Sequence, residues 1–245
     1  MPVNRDTESM LLVLLGGAVL RIAADDTFLR YVKGWTRPYL IVGGAVLLVL
    51  GLVSLWREHT SRRVRAAAEA SPGDVAGHAG HAGPKVAWLL LLPVFAIFLV
   101  APPALGSYAA ARGSNNVVQP SQGDFAPLPA GDPVTTTLTD FATRAIWDQG
   151  RSLQGRRVRL VGFVTPRPGG GLYVTRLVIT CCAADARPIK ITVQGGGQSP
   201  AADSWIEVVG TYAGVEVAGG TSGQIPVIKA DSVLAASVPS EPYES

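Results

Sequence analysis

The chain has 245 residues, of which 48% are hydrophobic and only 16% are charged, whereas soluble globular domains carry roughly 25% charged residues. This composition excludes an intrinsically disordered chain, because disorder requires low hydrophobicity and high charge. It also argues against an ordinary soluble enzyme, because the apolar residues form long runs within the first 110 or so positions.

The formal net charge of +3 would by itself allow binding to nucleic acid. Residues 1–112, however, contain eleven Lys and Arg against seven Asp and Glu, while residues 113–245 contain ten against eleven. The basic excess therefore lies beside the apolar runs, where membrane topology explains it better than phosphate contacts. We expect a lipid bilayer, and not nucleic acid, as the partner of the first half.

The apolar runs predict three transmembrane helices, at about residues 9–29, 39–56 and 86–106. The second run has no charge over 18 residues, or about 27 Å as a helix, close to the roughly 30 Å core of a bilayer. The first run contains Arg21 and Asp25, whose i, i+4 spacing allows an ion pair. We interpret both as solvated charges in the headgroup layer, in preference to a buried functional pair. A cleaved signal peptide is the less favoured reading of this run.

The distribution of basic residues predicts the orientation of these spans. Three spans place the amino-terminus and residues 57–85 on one side, with six Lys and Arg against four on the other side. By the positive-inside preference the 57–85 loop is cytoplasmic, and the carboxyl-terminal half lies outside the cytoplasm. We therefore predict a multi-pass protein of the plasma membrane.

The predicted cytoplasmic loop contains His78 and His81 in the sequence GHAGHAG. Neutral imidazole is a common metal ligand, so a metal site at these two histidines is one interpretation. The favoured interpretation is a solvated, flexible loop, because no Cys or nearby ligand carboxylate completes the set. Residues 113–133 are rich in Gly, Pro, Ser and Asn, which predicts an extended linker.

Residues 134–245 predict a small antiparallel β-barrel or sandwich, preceded by a short helix. The helix is expected at 139–150, with Thr139 or Asp140 as its amino-terminal cap and Gly150 as its stop. Five or so strands with alternating or β-branched patterns follow, at about 156–165, 172–180, 189–193, 205–212 and 225–234. Their openings resemble those of OB-type barrels.

The unusual chemistry of this domain lies in Cys181 and Cys182, the only cysteines of the chain. Adjacent residues of a strand face opposite sides, so both thiols act jointly only at a strand end or bend. Four interpretations remain open: a structural pair with one buried thiol, a metal site with Asp185 for zinc or copper, a strained redox-active vicinal disulfide, and an intermolecular link. Two vicinal thiolates alone are too few ligands for a closed zinc site.

Enzymatic motifs are not found in the predicted outer domain. Residues 134–245 contain no histidine, which removes the usual Ser-His and Cys-His arrangements, and there is no Walker-type phosphate loop. A basic cluster, formed by Arg151, Arg156, Arg157 and Arg159, fits a solvated strand face better than a nucleic-acid surface, because the domain charge is balanced. We do not expect an enzyme.

Several features follow one another along the chain: the apolar spans, the His-containing loop and the segments GFVT, RLVITCCAADARP, WIEVVGTY and EPYES. In this order they resemble the YcgQ-type permease subunits. The most specific element is CC-x-x-DA, formed by Cys181, Cys182, Asp185 and Ala186, together with Pro242–Tyr243. The resemblance covers nearly the whole chain. It implies a protein that works beside a separate multi-span permease, and it implies no catalytic residue.

Two functions are therefore expected. The first is a non-catalytic accessory subunit of a membrane permease complex, which anchors an extracytoplasmic β domain beside a multi-span transport partner. The alternative is a membrane-anchored extracytoplasmic thiol module that binds metal or acts in redox chemistry through Cys181 and Cys182.

Overall fold

The structure, a computed structural model, describes residues 5–69, 103–115, 117–120, 125–197, 200–217 and 223–244. They belong to two compact units. The first unit comprises Met1–Phe28 and Gly34–Pro103, and the second comprises Leu29–Lys33 and Ala104–Ser245. A short piece of the amino-terminal half therefore belongs to the carboxyl-terminal unit.

Two α-helices form most of the described part of the first unit. Helix α1 spans Arg5–Ala24 and helix α2 spans Arg37–Glu69. Within the described residues, one helical stretch, Gly34–Ser61, is long and apolar enough to cross a membrane. At 1.5 Å per residue its 28 residues extend over about 42 Å, more than the roughly 30 Å of a hydrocarbon core.

Small residues bring α1 and α2 together. A Cβ atom added at Gly16 would lie 2.7 Å from the backbone nitrogen of Leu48, and one added at Gly51 would lie 2.7 Å from the Val13 side chain. Only glycine permits this close approach of the two backbones. The large aliphatic residues of α2 remain exposed, including Val42, Val46, Val49 and Leu50.

The amino-terminal half differs from the predicted three spans. The first span, expected at 9–29, is instead a helix that ends at Ala24, because Asp25 and Asp26 follow and Asp26 has a positive φ of 55°. Arg21 and Asp25 do pair, at 3.5 Å, with both side chains exposed.

The second predicted span lies inside α2, and residues 57–69, expected to begin a loop, continue this helix instead. These residues contain no proline or glycine that would end it. The third span lies outside the described residues except for 103–106, which are not helical.

The second unit contains a closed five-stranded β-barrel with extra strands. The barrel strands are β2 (Arg157–Pro166), β3 (Leu172–Val178), β4 (Arg187–Gly195), β5 (Trp205–Val217) and β6 (Gln224–Ala235). The circuit runs β2–β3–β4–β6–β5 and closes because β2 also pairs with β5. Short strands β1 (Val134–Thr135) and β7 (Tyr243–Glu244) extend the sheet beside β2 and β3. The prediction of a small barrel is thus confirmed.

The sequence pattern predicted an antiparallel barrel, but the barrel is only partly antiparallel. Strands β4 and β6 pair in parallel, as do β1 with β2 and β3 with β7. The parallel pair arises because β6 folds back from β5 and then lies against β4, two strands earlier. Closure depends on Gly162, where an added Cβ would lie 2.6 Å from the Thr175 carbonyl oxygen.

The predicted short helix is present as α4 (Leu138–Trp147), after the six-residue α3 (Ser107–Arg112). Its apolar residues Leu138, Phe141, Ala142 and Ala145 are fully or almost fully buried in the barrel core. The amino-terminal cap is Thr137, whose side chain accepts from the Asp140 amide, and not Thr139 or Asp140. Thr137 takes the extended conformation that a cap requires.

The segment predicted as a linker packs on the barrel where it is described. Asn115 is buried, donates to the Gln224 carbonyl at 2.7 Å and accepts from the Lys190 amide at 2.8 Å. Val117 and Leu128 join the main core.

The carboxyl-terminal residues fasten several elements of the second unit. The Glu244 carboxylate accepts from the backbone amides of Leu138 and Thr139, both at 2.9 Å, and from the Thr139 hydroxyl at 2.7 Å. A carboxylate at this position satisfies the free amides at the start of α4. It also lies 3.8 Å from the buried Arg176 guanidinium. Glu244 therefore joins α4, β3 and β7.

The variant Glu244→Gln tests this role. It removes the negative charge that faces the buried Arg176 and weakens the bonds to α4, so the free energy of unfolding should fall by about 2–3 kcal/mol. Chemical denaturation of the full chain in detergent micelles measures this loss. The control is Glu241→Gln, because the Glu241 charge acts on Arg176 less strongly than that of Glu244, and the substitution keeps the backbone carbonyl that accepts from Arg176. Equal stability of the two variants would contradict the role of Glu244.

Candidate metal centre

The two cysteines lie in the connection between β3 and β4, which we call the thiol turn and define as residues 179–186. Strand β3 ends at Val178, and a short 3-10 helix, Ala183–Asp185, follows the cysteines. The pair therefore lies at a strand end, where the strict alternation of side chains no longer applies. This is the placement that joint action of the thiols requires.

The Asp185 carboxylate determines the shape of the thiol turn. One oxygen accepts from the Thr180 amide at 2.7 Å, and the other accepts from the amides of Cys181 at 2.8 Å and Cys182 at 3.3 Å. Three consecutive backbone donors thus point at one side chain. An ionised carboxylate has roughly four acceptor positions, and the hydrogen bond with the Cys181 thiol uses the remaining one.

This turn brings the three side chains into one cluster. The sulfur atoms of Cys181 and Cys182 lie 3.6 Å apart, and both cysteines are free. The two sulfur atoms and a carboxylate oxygen of Asp185 all lie within 4.8 Å of one another. Cys181 is exposed, whereas Cys182 and Asp185 are half-buried. Among the described residues, this is the group of Cys, His, Asp and Glu side chains whose spacing suits a metal ion.

The electrostatics of the cluster favour a cation. Hydrogen bonds from the Thr180 and Cys181 amides lower the pKa of Asp185 to about 2, so the carboxylate is charged at neutral pH. The hydrogen bond with Asp185, followed by the contact with Cys182, raises the pKa of Cys181 to about 11. The metal-free turn thus holds a proton on Cys181 beside a fixed negative charge. A metal ion can replace that proton, because thiol ligands bind in the deprotonated form.

The segment Leu29–Lys33 completes the surroundings of the thiol turn. The Lys33 amide donates to the Cys181 carbonyl at 3.1 Å, and the Ala183 amide donates to the Tyr31 carbonyl at 2.6 Å. These two bonds form an antiparallel bridge between Val32 and Cys182. The bridge uses only backbone groups of the turn, so it engages neither thiol.

A second contact holds the same segment. The Tyr243 hydroxyl donates to the Arg30 carbonyl at 2.8 Å and accepts from the Leu105 amide at 3.1 Å. Tyr243 is itself buried and paired with Leu177 of β3. Tyr243 of the Pro-Tyr element therefore connects Leu29–Lys33 and Leu105 to β3 within the second unit.

The other sequence-based candidates lie elsewhere. His78 and His81 lie outside the described residues, so their prediction stays a prediction. In the basic cluster, Arg151 pairs with Asp148, Arg157 with Asp132 and Asp231, and Arg159 with Glu207. Arg156 donates to the carbonyls of Pro129 and Gly131. The cluster is thus part of internal contacts of the domain.

Sequence reasoning found the three ligand candidates but missed the segment that pairs with them. Val32 lies 150 positions before Cys182 and has no motif that indicates pairing. The sequence also indicated Asp185 only as a ligand, whereas in the structure its carboxylate accepts three backbone amides and so determines the shape of the turn. An acidic residue three positions after Cys182 is the signal for this second role, because that spacing is typical of a carboxylate that accepts backbone amides at a helix start.

Comparison with known proteins gives a family match for the barrel. Residues 141–244 match the DUF1980 C-terminal domain. This range covers most of α4, all barrel strands and the thiol turn, but less than half of the chain. The DUF1980 match fits the resemblance to the YcgQ-type family. No curated protein and no solved structure matches the chain.

Proposed function

We propose that the chain is a membrane-anchored, non-catalytic metal-binding protein whose barrel holds a zinc or copper ion at Cys181, Cys182 and Asp185. The observation that carries this proposal is the 3.6 Å separation of the two sulfur atoms beside a charged carboxylate. Two thiolates at roughly 2.3 Å from one tetrahedral zinc ion lie about 3.8 Å apart. The turn therefore holds the sulfur atoms close to the distance that a single metal ion requires.

The ligand count supports an open site. Three protein ligands leave one position of a tetrahedral ion for water or for a ligand from a partner. The exposure of Cys181 gives access to this position. A site of this kind suits capture and release of an ion better than permanent structural binding, for which four protein ligands are usual.

Redox chemistry is the less favoured function of the same pair. A disulfide requires sulfur atoms about 2.05 Å apart, so its formation would draw the two cysteines together. This movement would distort a turn that is held by three hydrogen bonds from backbone amides to Asp185. The raised pKa of Cys181 also lowers the fraction of reactive thiolate at neutral pH.

Zinc titration of the full chain in detergent, against a competing chromophoric chelator, tests the metal site. We expect one ion per chain, with affinity reduced on the order of 100-fold or more in Cys181→Ser and in Cys182→Ser, because each removes a thiolate ligand. Copper(I) is titrated in the same way. The control Ala183→Ser changes the same turn but keeps both thiols, and it should bind like the unaltered chain. Equal metal affinity of the unaltered chain and the double Cys→Ser variant would contradict the proposal.

We further propose that the chain is a multi-pass protein of the plasma membrane, with its amino-terminus in the cytoplasm and its barrel outside. The apolar stretch Gly34–Ser61 supports the anchor. The membership of Leu29–Lys33 in the barrel unit supports the topology, because the connection between α1 and α2 must then lie on the barrel's side of the membrane. With α1 and α2 both crossing, the chain returns to that side through the span expected at 86–106.

Reporter fusions test this topology. A periplasm-active reporter placed after Ser245 should be active, and the same reporter fused at the amino-terminus should be inactive. A cytoplasm-active reporter should show the reverse. Activity of the same reporter at both ends would contradict an odd number of crossings.

The permease role is a second proposal: the chain is an accessory subunit beside a multi-span transport partner, as the YcgQ-type resemblance implies. The helix pair supports an accessory role, because its contact is made by glycines and the exposed face of α2 carries aliphatic side chains with no charge between Pro38 and Trp56. Membrane pathways for polar substrates require polar or ionisable groups, which this face does not offer. We also assign the barrel to the OB type, which its five strands in one closed circuit support.

Site-specific photocrosslinking in native membranes tests the partner. A crosslinking residue at Val46, which is exposed on α2, should capture a multi-span protein, identified by mass spectrometry. The same residue at Val13, which packs against Gly51, is the matched control and should capture none. Capture of lipid alone at Val46 would contradict the accessory role.

A further inference from the structure

The contact between the thiol turn and Leu29–Lys33 couples the candidate metal site to a distant part of the chain. The segment joins α1 to α2 in sequence, yet it belongs to the barrel unit. Its two bonds to the turn involve the backbone of Cys181 on one side and the backbone of Ala183 on the other. Both thiols thus lie on the stretch of chain that the bridge holds.

The bridge and the thiol cluster depend on the same backbone. Asp185 accepts hydrogen bonds from the amides of Cys181 and Cys182. The same two residues form the bridge, because the Cys181 carbonyl accepts from the Lys33 amide and Cys182 lies opposite Val32. A metal ion bound by both sulfur atoms and by Asp185 would cross-link this stretch through its side chains. It would then hold the Cys181 carbonyl and the Ala183 amide in the position that pairs with the segment.

We propose that metal binding at the thiol turn is thermodynamically coupled to docking of Leu29–Lys33, so that the loaded site fixes this segment on the barrel and the empty site releases it more readily. This inference rests on the metal site of the proposed function and adds its regulation. The two states are the docked segment, with both bonds of the bridge formed, and the released segment, with both broken. Because Leu29–Lys33 is part of the connection between α1 and α2, metal binding at the turn changes how firmly this connection is held.

The contact with Tyr243 makes the segment suitable for such a role. The hydroxyl of Tyr243 donates to the Arg30 carbonyl, and this bond is separate from the two backbone bonds that form the bridge. Release of the bridge at Val32 therefore leaves the segment attached at one end. The segment can then return to the turn without searching for it, which keeps the two states close in free energy.

Coupling of this kind is reciprocal, and each direction gives a measurement. If metal strengthens the bridge, then the bridge strengthens metal binding by the same factor. The variant Lys33→Pro removes the amide that donates to the Cys181 carbonyl, whereas Lys33→Ala keeps it and removes only the side chain. The two variants therefore separate the backbone bond from the charge of Lys33.

The experiment measures zinc affinity and amide exchange of the full chain in detergent micelles. We expect Lys33→Pro to bind zinc about 5-fold or more weakly than Lys33→Ala, in the range that site–site coupling produces. We also expect zinc to slow hydrogen exchange at the Lys33 and Ala183 amides of the unaltered chain, and not at these positions in the Cys181→Ser, Cys182→Ser double variant.

The outcomes separate the two claims. If the unaltered chain binds zinc, but Lys33→Pro and Lys33→Ala have equal affinities and zinc leaves exchange at Lys33 unchanged, the coupling is wrong and the metal site stands. If the unaltered chain binds zinc no better than the double Cys→Ser variant, the metal site itself is wrong, and the coupling falls with it. Weaker binding in Lys33→Pro together with slower exchange in the unaltered chain supports both.

Discussion

Three consecutive backbone amides meet one carboxylate at the end of β3, and the candidate site depends on this contact. In a regular strand, Cys181 and Cys182 would face opposite sides. Asp185 accepts the amides of Thr180, Cys181 and Cys182, so the chain turns about its side chain and the two sulfur atoms come within 3.6 Å. The hydrogen bond with the same carboxylate raises the pKa of Cys181, and the negative charge of Asp185 favours a cation at the turn.

The surroundings of β3 explain why this turn lies where it does. Strand β3 is central to the second unit: β2 and β4 pair with its two sides, and β7 runs parallel to its last residues. Glu244 in β7 caps α4, while Tyr243 holds the carbonyl of Arg30. A rigid strand therefore ends in a turn whose neighbours come from the far ends of the chain. Ligand sites placed at the ends of rigid elements keep their geometry better than sites on free loops.

Much of the barrel could be predicted from the sequence, because each strand and the helix are indicated by a pattern within their own residues. Alternation and β-branched residues located β2 to β6, and the apolar face of residues 138–147 located the helix that fills the core. The parallel pairing of β4 with β6 could not be predicted in this way, since it depends on which strands meet after the chain has folded back. The cap at Thr137 was missed because Thr139 and Asp140 are equally good capping residues in isolation.

In the candidate site, too, local features could be predicted and contacts between distant residues could not. The adjacent cysteines and the acidic residue three positions later are visible in the sequence, and they indicate thiol or metal chemistry. The pairing of Val32 with Cys182 is a contact between residues 150 positions apart, and the segment Leu29–Lys33 has no motif that indicates it. Similarly, the first span was expected to continue to residue 29 because a crossing needs about 20 residues, whereas α1 ends at Ala24, before Asp25 and Asp26.

The central claim is that Cys181, Cys182 and Asp185 bind one metal ion, and X-ray absorption spectroscopy of the zinc-loaded full chain tests it most directly. We predict two sulfur neighbours at about 2.3 Å and the remaining neighbours oxygen or nitrogen at about 2.0–2.2 Å. A coordination shell without sulfur would contradict the account. A shell of four sulfur atoms would also contradict it, because one chain supplies only two thiolates and the ion would then be shared between chains.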